Sequence, residues 1–246
     1  MAKESGLGDR FYLGGFGLSG DTQTLKEITG TVGALDVTDI TQSANQRIHG
    51  MRTAAMSWVS FFNTTAGRAH DALSDLLTTD QVMTYGHGVV LGNPAASMIG
   101  KQINYDGNRG NDGSLLFSVD GQSSNGAGIE WGVQLTPGIR TDTTATNGTG
   151  VDQTVVSTAF GWVAHLHVTA FTGTSATVTV QDSADNVTFA NLTGGAFTAA
   201  TVSTAQRLDS ASGATVRRYV RAITTGTFSS VSFMVNFTRN EVAAVY

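Results

Sequence analysis

Two histidines one residue apart, His165 and His167, place two imidazoles on the same face of an extended segment. That is a spacing at which a strand can chelate a metal, but a third ligand is needed and none lies nearby in sequence. The favoured reading is two half-exposed imidazoles on a sheet surface, either open to solvent or at a contact between subunits. Tyr85-Gly86-His87-Gly88 superficially resembles a catalytic histidine turn. Glycine on both sides works against the fixed geometry a general base needs, and no Gly-x-Ser-x-Gly elbow accompanies it. Gly14–Gly17 and Gly107–Gly113 are glycine-rich, yet neither carries Gly-Lys-Ser/Thr or opens a helix, so neither is a phosphate loop. Asn104–Asp112 (NYDGNRGND) departs from the calcium-loop spacing and reads as a tight hairpin turn. Arg217, Tyr219 and Arg221 share one strand face beside Arg218, a combination that can hold nucleic acid or sugar. The flanking residues are not basic, so pairing with acids is the favoured reading. With no complete acid–base or nucleophile set, the chain is expected to be non-enzymatic, with no catalytic residue, metal or cofactor.

Composition sets the elements that carry these residues. Of 246 residues, 40% are hydrophobic and only 13% charged, about half the usual share. Glycine is abundant at 30 and proline scarce at 2. Few charges, many Thr and Val and many glycine turns predict sheet rather than helix. A surface this poor in charge is tolerable when copies of the same protein cover it. The absence of cysteine excludes disulfides and thiolate metal sites. The net charge of −5 has the wrong sign for gripping nucleic acid. MAKESGLGDRF lacks the apolar core of a signal peptide, and no run approaches the roughly 18 apolar residues of a membrane span. The expectation is synthesis in a cytosol without membrane insertion.

The best domain boundary is the polar stretch Arg140–Asp152 (RTDTTATNGTGVD), giving domains at 1–140 and 153–246 joined by a linker at 141–152. In the first domain, Thr22–Thr31 and Ala34–Ile40 read as strands, Thr41–Gly50 as a long polar loop and Met51–Phe62 as a strand apolar on both faces, buried between layers or lying at a subunit contact. Ala69, Ala72, Leu73, Leu76 and Leu77 make an apolar stripe that predicts one helix over about 66–77, capped by Thr64 or Thr65. In the second domain, Trp162, Ala164, Leu166, Val168 and Ala170 alternate with His165, His167 and Thr169, and similar alternation recurs around 176–181 and 231–238. The predicted fold class is therefore mainly β: an N-terminal β-sandwich or barrel with one packed helix, then a C-terminal antiparallel β-sandwich.

The order of several short motifs resembles the major tail protein family of siphophages and prophages. Phe11–Ile28 (FYLGGFGLSGDTQTLKEI), Ala34–Val37 (ALDV) and Arg47–Asn63 match its opening turn, its Leu-Asp-Val strand and its Arg-x-x-Gly approach to an aromatic-ended strand. His165–Thr169, Val178–Phe189, Leu192–Phe197 and Val216–Ala222 resemble the C-terminal module often attached to such proteins. The resemblance implies a structural virion protein, made in the bacterial cytoplasm and carried in the phage tail. It implies homo-oligomeric hexameric rings stacked into a tube, contacts with other tail proteins, and DNA passing through the lumen without specific binding. On that footing the ring-stacking loop is expected at Thr41, Gln42, Ser43, Ala44, Asn45, Gln46, Arg47, Ile48 and His49. Lumen-facing acids are expected at Asp21, Glu27, Asp36 and Asp39, where like charge keeps DNA moving. The competing expectation is a capsid-decoration or tail-surface protein whose C-terminal domain binds a glycan through Trp162, Phe171 or Tyr219.

Overall fold

The computed structural model describes residues 5–124 and 126–241. Among them are fifteen strands and one short helix, and the mainly-β expectation holds. The first unit contains β1 (Arg10–Leu13), β2 (Phe16–Gly17), β3 (Thr22–Asp36), β4 (Arg47–Phe61), α1 (Ala69–Leu73), β5 (Gln81–Gly86), β6 (Pro94–Gln102), β7 (Asp106–Arg109), β8 (Leu115–Ser123) and β9 (Glu130–Gln134). The second contains β10 (Arg140–Asp142), β11 (Val151–Thr158), β12 (Trp162–Ser183), β13 (Ala190–Ala196), β14 (Thr204–Asp209) and β15 (Val216–Arg239).

In the first unit, β2-β1-β5-β6-β9 form one antiparallel layer and β3-β4-β8-β7 the other, with β8 also pairing to the end of β6. Alternate residues of β4 point inward, so Ala54, Met56 and Trp58 meet Phe11, Leu13, Met83, Met98 and Val119 in one core. Ala69, Ala72 and Leu73 of α1 complete it. The helix is five residues long rather than the expected twelve. Its last carbonyl, on Leu73, accepts from the Gln102 amide at 2.8 Å, and Leu76 takes a left-handed φ of 44° that ends the run. Leu76 and Leu77 consequently lie exposed instead of extending the stripe.

The second unit is built on one bent ribbon. β12 pairs with β15 from end to end, from Trp162↔Arg239 to Ser183↔Tyr219, with register shifts near Gly173 that let the ribbon bend. Trp162, Ala164, Leu166 and Val168 join Val231, Phe233, Val235 and Phe237 in its core, as the alternation predicts. The stretch 141–152 is not a free linker. Arg140–Asp142 pairs with β15, Asn147 bridges Ile223, and Thr224 Oγ1 donates to Asp142 Oδ2 at 2.7 Å. Small polar residues gave it a linker's composition, but its backbone groups find partners on β15. The sheet is continuous between the units, because β9 pairs with β6 on one side and β15 on the other.

Candidate functional site: a buried polar seam and an open aromatic groove

The β1-β5-β6-β9 layer carries two cross-strand rows on opposite faces, and the register names them. Tyr12↔Thr84, Thr84↔Ser97 and Ser97↔Glu130 form one row; Phe11↔Tyr85, Tyr85↔Ala96 and Ala96↔Trp131 form the other. Side chains directly opposite on neighbouring strands share a face.

The first row faces the second unit. Across from it stand His165, His167, Met234 and Asn236 of the β12–β15 ribbon, all fully buried. His167 Nε2 lies 2.9 Å from Thr84 Oγ1, Thr84 Oγ1 lies 2.8 Å from Ser97 Oγ, and Asn236 Nδ2 donates to Ser97 Oγ at 2.8 Å. The Gly15 N–H points to His167 Nδ1 at 3.4 Å. Gly15 has a φ of 93° and sits against the Thr204 backbone, so a Cβ there would lie about 2.9 Å from Thr204 N. The Tyr12 ring lies tilted beside the His167 ring with centroids 5.6 Å apart, and Tyr12, Ala95 and Met234 form a small apolar cluster beside these bonds. At the row's end, His165 Nε2 is 2.9 Å from Glu130 Oε2, and Arg207 grips both Glu130 oxygens at 3.1 and 2.7 Å. Burial alone would raise the Glu130 carboxyl, but the adjoining His165 imidazole and the Arg207 guanidinium outweigh it and bring it to about 2. Burial, with His165 nearby, pushes His167 down to about 3, so its imidazole is neutral. The two histidines are therefore not half-exposed at a subunit surface; they hold one unit of the chain against the other. Among the described residues no group of three metal-ligating side chains forms.

The second row begins in the first core and runs out to solvent. Phe11 is buried and packs against Trp58, Tyr85 is partly buried, and Trp131 at the far end is 52% exposed. Tyr85 Oη donates to Asp9 Oδ2 at 2.6 Å, while Asp9 Oδ1 takes His87 Nδ1 at 3.0 Å and the Gly88 N–H at 3.1 Å. Burial and the bond to Asp9 push the Tyr85 phenol well above its ordinary value. The Tyr85–His87 turn thus clamps the loop before β1. Beside it a cleft of about 440 Å³ is lined by Asp9, Arg10, Phe11, Gln23, Leu25 and Tyr85. It continues into a shallower groove of about 330 Å³ bounded by Leu25, Lys26, Glu27, Ile28, Tyr85 and Trp131.

The β3–β4 hairpin is the other prominent feature. β3 and β4 stay paired out to Asp36↔Arg47, and residues 30–49 are exposed throughout. The expected loop Thr41–His49 divides: Thr41, Gln42, Ser43, Ala44, Asn45 and Gln46 lie in the connection, but Arg47, Ile48 and His49 belong to β4. Asp36 accepts from Thr38 and Asp39 from Thr41, through both amide and hydroxyl, which holds each carboxyl below its usual range. These two acids fold the hairpin tip. Glu27 is exposed at the groove rim. Asp21 is not a lumen acid. It is buried, its Oδ1 accepts from Asn63 Nδ2 at 2.8 Å and its Oδ2 from the Ala69 N–H at 3.2 Å, so it caps α1 where Thr64 or Thr65 was expected to.

The remaining candidates have structural partners. Arg217 chelates Asp182, Arg218 pairs with Asp152 at 2.8 Å, and Arg221 lies over the Phe189 ring. The Arg218 hydrogen bonds bring Asp152 to about 2. Asn104–Asp112 leads through β7 into a turn closed by Gly110 N to Ser114 O. Of the aromatics considered for a glycan, Trp162 is buried in the second core, Phe171 packs against it and Tyr219 lies under Arg218. Neither the Asp9 cleft nor Trp131 was singled out in the sequence, because the residues concerned come from four strands and a loop.

No protein-family model matches the chain, and no curated protein matches it. Among solved structures it is similar to the crystal structure of the SPP1 Dit protein (gp 19.1), described as a paradigm of the hub adsorption apparatus in phages infecting Gram-positive bacteria. That likeness covers 94% of this chain and 99% of the other at 11% identity and a TM-score of 0.34. It is also similar to a protein in the tail of an empty GTA particle, over 44% of this chain and 82% of the other, with 13% identity and a TM-score of 0.33. The phage p2 baseplate in its activated conformation gives 96% and 99% coverage, 7% identity and a TM-score of 0.34. Likenesses at these TM-scores carry no argument about what the chain does.

Proposed function

We propose that this chain is a non-enzymatic structural subunit of a bacteriophage tail that assembles with copies of itself into stacked hexameric rings forming a DNA-conducting tube. The observation that carries the reading is the β3–β4 hairpin. A two-stranded ribbon standing off the body is marginal in water, and this one displays Val32, Leu35, Val37, Ile40, Ile48 and Met51 to solvent. Such a run of apolar side chains on an extended arm calls for cover by another molecule. Copies of the same chain supply it in a ring or stack, and a weak contact repeated around a ring suffices. The low charge content and the motif order described above point the same way. Six copies would carry about −30 of formal charge, and Asp36 and Asp39 are the acids proposed to face DNA, Glu27 lying instead at the groove beside Trp131.

Electron microscopy of the purified protein tests the reading. Rings with a central channel, or hollow tubes built from them, are expected. Monomers that form neither at high concentration, with or without other tail proteins of the same phage, would remove it.

A further inference from the structure

We infer that the groove between Tyr85 and Trp131 is a saccharide-binding site. The inference does not depend on the tail-subunit reading. Trp58 and Trp162 are fully buried, whereas Trp131 stands half exposed at the end of its row. Ala96 separates Tyr85 from Trp131 in the register, and neighbouring strands lie about 4.8 Å apart, so the two aromatic residues are about 10 Å apart across a methyl group. The indole has no aromatic partner among the described residues, unlike Trp58 and Trp162, which each pack on a phenylalanine. An open indole face offers an apolar platform for the C–H face of a pyranose ring. Hydroxyls around such a ring need mixed donors and acceptors, and the rim supplies them in Gln23, Lys26, Glu27 and Arg10. The Gln23 and Glu27 side chains make no hydrogen bond within the described residues and remain available to a ligand. The adjoining cleft shares Asp9, Leu25 and Tyr85 with the groove, and each is of a size that holds small ligands. The clamp on Asp9 by Tyr85, His87 and Gly88 fixes the wall between them, so the site is preformed. Together the two volumes suit an oligosaccharide of two or three rings rather than a single sugar.

The three tryptophans make the test selective, since an aqueous quencher reaches Trp131 and not the other two. Acrylamide quenching of the full chain is measured while chitohexaose, cellohexaose and maltohexaose are titrated separately to millimolar concentration. Protection by at least one of them is expected, with affinity falling about tenfold or more in Glu27→Gln by the same quenching and in Trp131→Phe by calorimetry. Isothermal calorimetry, which does not rely on the indole, reads Trp131→Ala and should show no binding. The inference is overturned if no probe protects Trp131. It is overturned equally if Trp131→Ala binds as the parent does, or if protection tracks protein concentration regardless of sugar, which would mean a second copy covers the groove.

Discussion

His167 and Thr84 lie 83 positions apart and meet with Nε2 2.9 Å from Oγ1 in a layer that no water reaches. The neutral imidazole uses both nitrogens there: Nδ1 accepts from Gly15 and Nε2–H donates to Thr84, which lies within hydrogen-bonding distance of Ser97. Thr84→Val keeps the shape and removes the hydroxyl. It leaves a buried imidazole N–H with no acceptor, a loss of about 1–3 kcal/mol. Urea denaturation should show a lower midpoint with an unchanged slope. Thr84→Ser should recover most of the loss, and equal stability for the Val and Ser variants would mean that the seam bond contributes nothing.

The seam was the least legible part of the sequence. Alternation along β12 correctly assigned Trp162, Ala164, Leu166 and Val168 to a core. The opposite face, with its histidines and threonine, reads as a half-exposed sheet surface because polar residues at alternate positions usually mark a wet face. Here that face packs on Thr84 and Ser97, whose alignment depends on the register of β5 and β6 with each other. Periodicity within one strand cannot reveal which distant row covers it. The hairpin failed for the converse reason. An arm without a core beneath it has no buried face to enforce alternation, so Arg47–His49 reads as part of the polar loop although its backbone pairs with Ala34–Asp36, which falls within the expected strand Ala34–Ile40. The helix stripe is legible in part: Ala69, Ala72 and Leu73 are core, but the stop imposed by Gln102 comes from a strand 29 positions downstream.

Acid should loosen the same seam. His167 titrates near 3 when folded, whereas an imidazole in an unfolded chain titrates near 6.5. The unfolded state therefore takes the proton first, and the contribution of the neutral form is complete above about 6.5 and lost as pH falls toward 3. The limiting slope is about 1.4 kcal/mol per pH unit. Glu130, held near 2, adds a loss only below the ordinary carboxylate range, so pH 5 to 6.5 isolates the histidine effect. His167→Gln keeps a donor and an acceptor but cannot titrate. Its unfolding free energy should be flatter than the parent's across that interval, and parallel curves would refute the assignment.

Asp21 provides a clean separation between two roles. As a lumen acid it would contribute surface charge, and its replacement would leave stability within about 0.5 kcal/mol. As the buried acceptor for Asn63 and Ala69 it ties the start of β3 to the end of β4 and to α1. Asp21→Ala should then cost about 1–3 kcal/mol. Hydrogen exchange should rise at Ala69–Ser74, while amides of the β12–β15 ribbon keep their protection. An unaltered exchange pattern in α1 would return Asp21 to the surface-charge role.

The hairpin prediction turns on choosing a change that spares the ladder. Deleting Ala44–Ile48 would remove Arg47 and Ile48, which pair with Asp36 and Leu35. Five residues is also an odd number, so any re-pairing of the strands would carry side chains to the opposite face. Ile40→Asp avoids both problems, because Ile40 is fully exposed at the tip and lies outside either strand. In the isolated chain it should leave the thermal midpoint unchanged, as expected for a surface position. If neighbouring copies cover the tip, the buried charge would lack a partner and assembly should fail at concentrations where the parent forms rings or tubes. Sedimentation velocity and electron microscopy of the two proteins side by side read the outcome. Assembly of Ile40→Asp with the parent's concentration dependence would place the tip outside the contact and remove the observation on which the tube reading stands.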